Sequence, residues 1–459
     1  MKDDPNVILI VLDTLRKDVL PVYNGEAVTP CLEDFAKDAV IFPNAIAPAS
    51  WTVPSHTSMF SGLYSVEHEV DQFQDLSQDL RRASVDKILN KISTFDKMTI
   101  IQRLRRIGYN TVGISSNPYI SPGTGLSKDF VTITYEDSLL SEEESFLYKE
   151  AKNYGNSKFE KVLKLALEGD ISLLSSYFRL YIKSKKSGLS GTKRSGAIVD
   201  TVINSSIRNP FFLFLNFMDV HEPLTHWETS RDILGLNRNA ILNGNEFPRR
   251  KAHSIRKQYL SAVSHLDFNL GRLFTSLREK KIYDNSLIIV TSDHGQALFD
   301  NKYGYYGHGI FLFNELIEVP LIVKLPENKK ISIKDGYQSL TNISKFIVDV
   351  IDGNRDQDSI TEMSAFSEAK GLENDNGSLS NINNGNREPL NEKVLEIFGS
   401  RKAIYKDGYK CVVNGRNGNV EEFTSNGKEV GFDIAHQKDL LNELLDFSRK
   451  AKDEFVINL

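Results

Sequence analysis

Two stretches of this chain end in acids at positions suited to binding a metal. Near the start runs Asn6-Val-Ile-Leu-Ile-Val-Leu-Asp13-Thr-Leu-Arg16, and much later comes Ser286-Leu-Ile-Ile-Val-Thr-Ser-Asp293-His294-Gly295. Each is a run of β-branched and aliphatic residues that stops at a carboxylate. Such a run reads as a strand buried on both faces of a parallel sheet. A carboxylate at its C-terminal end sits where open α/β sheets bind ligands. The adjacent Asp293 and His294 offer hard oxygen and imidazole ligands to one ion, or to two ions close together. The alternative for Asp13 alone is a cap for a following helix.

A second group is Ala49-Ser-Trp-Thr52-Val-Pro54-Ser55-His56-Thr-Ser. A hydroxyl beside a Pro-containing turn and a following helix can be aimed at a cleft, and a helix N-terminus favours an anionic group. Thr and Ser attack weakly until a base or metal lowers the hydroxyl pKa. Thr52 or Ser55 could equally cap the helix. Asn117, before Pro118, reads either as a donor to substrate or as a turn residue. His68, His226, His253, His265 and His436 read as structural or exposed, and Asp267 as an ordinary helix position.

The elements that must position these groups alternate along the chain. Residues 30–39 suggest a short helix, residues 104–107 a helix end with Gly108 behind it, and residues 109–118 a strand with its loop. Residues 197–207 suggest a helix, 211–217 a strand that leads to Asp219-Val-His221-Glu-Pro, 255–280 an amphipathic helix, and 319–324 another strand. Residues 136–196 look like a helical insertion, closing on a basic, Gly/Ser-rich linker at 183–194 that reads as a solvated loop or as a contact for an anionic surface. Residues 371–394 form an Asn/Gly-rich variable loop. A hairpin over 403–413 and a helix over 438–450 close the chain. The expected units are 1–370, the loop 371–394, and a small C-terminal subdomain at 395–459. Strands alternating with helices make an α/β sheet with an α+β C-terminal piece.

Composition narrows the function class. The chain has 459 residues, 40% hydrophobic and 25% charged, with a net charge of −5. That balance suits a large soluble core and gives no basic excess for nucleic acid. Cys31 and Cys411 are too few and too distant for a metal knuckle or a disulfide framework. No stretch approaches the ~20 apolar residues that span a bilayer, and no signal-peptide pattern is present, so a cytoplasmic location is expected. A Gly-x4-Gly-Lys-Ser/Thr phosphate loop is absent, which argues against an ATP-using enzyme.

Residues 6–14, 29–36 and 42–64 resemble the N-terminal half of the sulfatase family, within the alkaline phosphatase superfamily. Gly108-Tyr-Asn-Thr, Met218-Asp-Val-His-Glu-Pro, Ser292-Asp-His-Gly, Gly307-His-Gly and Asn314-Glu-Leu-Ile-Glu-Val-Pro-Leu-Ile-Val continue the resemblance in order. It implies an alkaline-phosphatase/sulfatase-like fold: a central mostly parallel sheet flanked by helices, with a small α+β C-terminal subdomain. It also implies a metal-dependent hydrolase of sulfate or phosphate esters on a sugar, lipid or glycan.

The chain departs from that family at its reactive position. Sulfatases carry Cys or Ser followed by x-Pro-x-Arg, and that Cys or Ser is oxidised to formylglycine; this chain has Thr52-Val-Pro-Ser-His56. Thr cannot yield the same aldehyde, because its β-carbon bears a methyl group. The second of two adjacent Asp residues at the first strand end is Thr14, and the family's Lys is replaced around His308-Gly309. What remains resembles the superfamily's phosphotransfer branch, in which Thr or Ser attacks directly. That resemblance implies Asp13, Thr52, Asp293 and His294 around one ion. It makes Asp219, His221 and His308 candidates for a second ion; Asp219 and His221 lie two apart and so on one side of an extended chain. Alternatively, His221 and His308 bind the substrate's anionic oxygens, or one of them protonates the leaving oxygen. His56 and Asn117 are expected at the substrate. The expected cofactor is one or two divalent ions, Ca²⁺, Mg²⁺, Mn²⁺ or Zn²⁺. The rival functions are a phosphodiesterase or phosphonate hydrolase, a phospho-head-group transferase, and an inactive binding protein of the same fold.

Overall fold

The computed structural model describes residues 4–70, 98–117, 119–120, 126–135, 195–222, 224, 249–354, 358–371, 396–430 and 434–449. The expected helical insertion and basic linker lie outside the described residues except at 195–196; so do the Asn/Gly-rich loop beyond 371 and His226.

Strands β1 (Asn6–Leu12), β2 (Val40–Phe42), β4 (Asn110–Ser115), β5 (Thr132–Tyr135), β6 (Phe211–Phe217), β7 (Ser286–Thr291) and β10 (Leu321–Lys324) form a seven-stranded sheet in the order β2-β10-β7-β1-β6-β4-β5. From β7 to β5 every neighbour is parallel. β10 runs antiparallel to both β7 and β2. The two acid-tipped strands are therefore direct neighbours, although most of the chain separates them in sequence.

The sheet buries both faces, and alternation divides its side chains between two cores. Ile8, Ile10, Leu213, Leu215, Ile288 and Val290 join one core, with the helices Pro30–Lys37, Ser195–Asn204 and Arg249–Glu279. Val7, Leu9, Val11, Phe212, Phe214, Leu287 and Ile289 join the other, with the helices Thr52–Ser61, Ile100–Arg106 and Ile343–Ile351. Burial on both sides explains why β1, β6 and β7 read as almost unbroken apolar runs.

Smaller elements pack beside this sheet. β3 (Ala45–Ile46) pairs with β11 (Tyr337–Ser339), which pairs with β12 (Thr361–Glu362). β8 (Ala297–Leu298) and β9 (Tyr306–Gly307) form a short ribbon behind Asp293. The C-terminal sheet runs β13 (Ser364–Ala369), β14 (Arg401–Lys406), β15 (Tyr409–Asn414), β16 (Val420–Ser425) and β17 (Lys428–Glu429), all antiparallel. The helix Ile434–Arg449 packs on it through Leu440, Leu441, Leu444 and Phe447. β13 precedes residue 395, yet it is an edge strand of this C-terminal sheet.

Asp267 is more than an ordinary helix position. Its two carboxylate oxygens accept from Cys31 N (3.0 Å) and Leu32 N (2.8 Å). These are first-turn amides of the Pro30–Lys37 helix, whose own N-cap, Thr29, makes no side-chain cap bond. A long helix thus caps a short one from outside. The fit is close, since a Cβ on Gly271 would lie 2.4 Å from Cys31 Sγ. Asp267→Ala should lower stability by about 1 kcal/mol, seen as a lower urea midpoint, while catalytic constants stay unchanged. An unaltered midpoint would show that the cap carries no stability.

Candidate active site

Two residues past the Val11–Thr291 pair, β1 and β7 each reach an acid. Asp13 N still bonds to Phe217 O at 2.9 Å, so the turn begins with the backbone held in the sheet. Thr14 then adopts φ 63°, the left-handed region, which is rare and strained for a β-branched residue. Three contacts hold it there. Thr14 N donates to Asp293 Oδ1 (3.3 Å), Thr14 Oγ1 donates to Asp13 O (2.7 Å), and Tyr259 Oη donates to Thr14 O (2.7 Å). Tyr259 Oη also accepts from Arg16 N at 2.8 Å. On β7's side, Ser292 Oγ lies 2.7 Å from Leu12 O and 2.9 Å from Leu15 N. Gly295 permits the chain to turn against its neighbour, for a Cβ there would meet Glu315 O at 1.9 Å.

Asp13, Asp293 and His294 are all fully buried, and one ligand atom from each lies within 4.8 Å of the others. Asp13 uses one oxygen, accepting from Asn117 Nδ2 at 2.7 Å. Asp293 Oδ1 accepts from Thr14 N and from His294 N (2.9 Å). Among the described residues, Asp13 Oδ1 and Asp293 Oδ2 have no hydrogen-bond partner. Such a buried acceptor costs on the order of 1–3 kcal/mol, more when charged. Burial first, and then the charge of Asp293, pushes the Asp13 carboxyl up; burial likewise pushes Asp293 up. A divalent cation answers all of this at once, so the donor set of two carboxylates and an imidazole fits one.

The Thr52–Ser61 helix brings the hydroxyl. Its N-cap, Trp51, makes no side-chain cap bond, and Thr52 is the first helical residue. Thr52 Oγ1 lies 3.5 Å from His294 Nε2 and 3.5 Å from Asn117 Nδ2. Neither Thr52 nor Ser55 spends its hydroxyl on capping, because Ser55 Oγ donates to Asp293 O at 2.7 Å and ties the helix to β7. Asn117 joins the site through Asp13 and Thr52, with its orientation set by Tyr119 N donating to its Oδ1 at 2.8 Å.

His56 stands elsewhere than at a substrate-facing surface. It is fully buried, with Nδ1 2.9 Å from Thr52 O and 3.5 Å from Asp293 Oδ2, and its ring meets Phe60 and Phe214 edge-on. One helical turn after Thr52, it supports the site from the core side. Asp219 also departs from the expected ligand set. Its carboxylate accepts from Ser195 Oγ and lies 3.9 Å from His265 Nε2, and among the described residues it forms no candidate metal cluster with His221 and His308. The strand ends at Phe217, so the two-residue alternation does not carry on to Asp219 and His221.

The histidines that do converge are His221, His294 and His308. The rings of His294 and His308 are 4.5 Å apart between centroids, and those of His221 and His308 are 5.0 Å apart. His294 Nδ1 faces Gly295 O at 2.9 Å, and His221 Nδ1 faces Glu222 O at 2.6 Å. A carbonyl only accepts, so Nδ1 carries the hydrogen in both, and Nε2 of the neutral ring bears the lone pair. Burial drives His294 down to about 4, and burial with the neighbouring His294 and His221 holds His308 well below the usual imidazole value. Gln296, Glu222, Tyr259 and Ser292 also bond to groups of the site; Ser292 and Glu222 fall inside the family-like runs, but their residue types give them no distinct role there. Gln296 and Ser292 flank the Asp-His-Gly run, and Glu222 follows His221, which is the only signal they offer.

A sulfatase family model matches residues 5–353. The chain is 24% identical over 370 residues to a sulfatase of Formosa agariphila, covering 72% of this chain and 66% of that protein. It is 23% identical over 389 residues to an arylsulfatase of Clostridium perfringens, covering 75% of this chain and 74% of that one. The fold superposes on the phosphonate monoester hydrolase of Agrobacterium radiobacter with a TM-score of 0.61, at 16% identity over 97% of this chain and 95% of the other. Among the described residues no helix is long and apolar enough to cross a membrane. The acid-tipped strands, the helix that begins at Thr52 and the family match over 5–353 agree: the chain belongs to the sulfatase family.

Proposed function

We propose that this chain cleaves phosphoryl-type anionic esters, with Thr52 Oγ1 as the nucleophile beside a divalent cation. The observation that carries the reading is the position of that hydroxyl. It is at the N-terminus of a helix, 3.5 Å from both His294 Nε2 and Asn117 Nδ2, and held against the strand end where Asp293 leaves an oxygen without a hydrogen bond. Asp13, Asp293, His294 and Thr52 would hold the cation, which when bound lowers the hydroxyl pKa and neutralises charge on the transferred group.

The chemistry of Thr52 favours phosphorus over sulfur. A formylglycine hydrate has a second hydroxyl on Cβ that can expel bound sulfate; Thr52 has a methyl there instead. The transferred group must therefore be released by attack on its central atom. Thr52 Oγ1 loses its proton and attacks phosphorus, the bond to the leaving oxygen breaks, and that oxygen takes up a proton. Water then attacks the threonyl phosphate and frees Thr52. Positioning and charge stabilisation supply most of the catalysis in such transfers. We assign to Asn117 the orientation of Thr52, and to His221 or His308 the transfer of the proton: Nε2, bearing a lone pair at rest, takes up the proton that Thr52 releases and passes it to the leaving oxygen. The organic part of the ester would be a sugar, lipid or glycan. An alcohol in place of water would make the same site a head-group transferase.

Aryl phosphate, an aryl phosphodiester, an aryl phosphonate and aryl sulfate should be assayed against wild type, Thr52→Ala and Thr52→Ser. Thr52→Ala should lose about 10³-fold or more of the phosphoryl activity, Thr52→Ser should keep part of it, and a quenched reaction should yield phosphothreonine at position 52 by peptide mass spectrometry. Full activity in Thr52→Ala, or turnover of sulfate alone, would contradict the proposal.

The cation should be visible without activity. Saturating the metal-free protein with Mn²⁺ or Zn²⁺ at a hundredfold excess over Kd should stabilise it by about 2.7 kcal/mol. Asp293→Asn should lose that gain. Its metal-free midpoint should not fall, because the substitution removes one of two buried like charges. A metal-induced shift of the same size in Asp293→Asn would place the ion elsewhere.

A further inference from the structure

We infer that Gln296, oriented by Glu222, is the residue that positions His308 in the site, an inference resting on the catalytic reading above. His308 Nδ1 lies 2.9 Å from Gln296 Oε1, and Gln296 Nε2 donates to Glu222 Oε2 at 3.0 Å. Gln296 is fully buried. A carboxylate can only accept, so it decides which end of the amide faces it. With the NH₂ turned to Glu222, the amide oxygen faces His308, and an oxygen there requires hydrogen on Nδ1. His308 therefore presents Nε2 as the bare nitrogen, the state that carbonyls impose on His294 and His221.

His308 takes its acceptor from a side chain and not from the carbonyl of the next residue. His294 and His221 each use the carbonyl of the next residue. Gly309 follows His308 at φ 95°, and the His308 carbonyl is taken by Tyr305 Oη at 2.9 Å. The acceptor for His308 Nδ1 comes instead from a side chain twelve residues earlier. Gln296 is itself anchored at its carbonyl, which accepts from Arg16 Nη1 at 3.3 Å. Rotating the His308 ring by half a turn would set a carbon against Gln296 Oε1 and swing the lone pair away. Gln296 is thus a positioning residue: it fixes which His308 nitrogen faces the transferred group.

The test is the ring-nitrogen spectrum of the metal-free full chain labelled with ¹⁵N-histidine, with the His308 signals identified by their loss in His308→Asn. Wild type should show His308 protonated at Nδ1 and bare at Nε2. Gln296→Leu should give a mixture of tautomers and lower kcat by about 10- to 100-fold, the range seen when a partner behind a reactive or metal-binding His is lost, with KM changing less. Glu222→Gln, which frees the amide to turn and tests the half-buried end of the relay should Gln296→Leu fold poorly, should also give a mixture. Exchanging the pair, Glu222→Gln with Gln296→Glu, restores a donor facing an acceptor and should return hydrogen to His308 Nδ1. Wild type protonated at Nε2, or an unchanged His308 signal in both single variants, would overturn the inference. The spectrum is read without substrate, so inactivity toward every ester would count against the proposed function and leave this result standing.

Discussion

Two buried carboxylates at the ends of neighbouring parallel strands are the constraint on which the rest of this site depends. β1 and β7 pair in register, so Asp13 and Asp293 emerge together whatever the chain does between them. Each has an oxygen with no hydrogen bond, in a place from which water is excluded. Like charges so placed repel each other, and the strained Thr14 adds to the energy of the strand ends. The fold tolerates this because the sheet beneath is buried on both faces and leaves the strand ends no freedom to move apart.

The other groups are placed by attachment to those ends. Ser55 Oγ binds the Asp293 carbonyl and so fixes the helix that begins at Thr52. Asn117, past the end of β4, reaches across β6 to Asp13. Tyr259, from the long helix on one face, clamps both sides of Thr14. The Thr52 hydroxyl is thus located by three separate segments that converge beyond the carboxyl ends of the strands. This is where open α/β sheets gather their ligands. His56, where the resemblance to sulfatases implies an Arg, lies sealed against Phe60 and Phe214 with Nδ1 3.5 Å from Asp293 Oδ2.

The strands were legible because a doubly buried strand must be apolar along its whole length; β1, β6 and β7 follow the apolar runs closely. Asp13, Asp293 and His294 were legible because an acid that ends such a run has few structural uses. Asp219 misled because strand alternation was extended past Phe217, where the strand has already ended. Asp267 looked ordinary because its partners, two amides of another helix, are remote in sequence. Gln296 and Glu222 stayed hidden for a similar reason. Their contribution lies in which way an amide faces, and only the spatial meeting of three side chains determines that.

The proposed cation would be held by Asp13, Asp293 and His294 beside Thr52. An anomalous-difference map from crystals grown with Mn²⁺ and measured on the manganese edge tests it most directly. The account predicts one peak within ligand distance of Asp13 Oδ1, Asp293 Oδ2 and His294 Nε2, with Thr52 Oγ1 at its edge. A map without a peak at those atoms would contradict it.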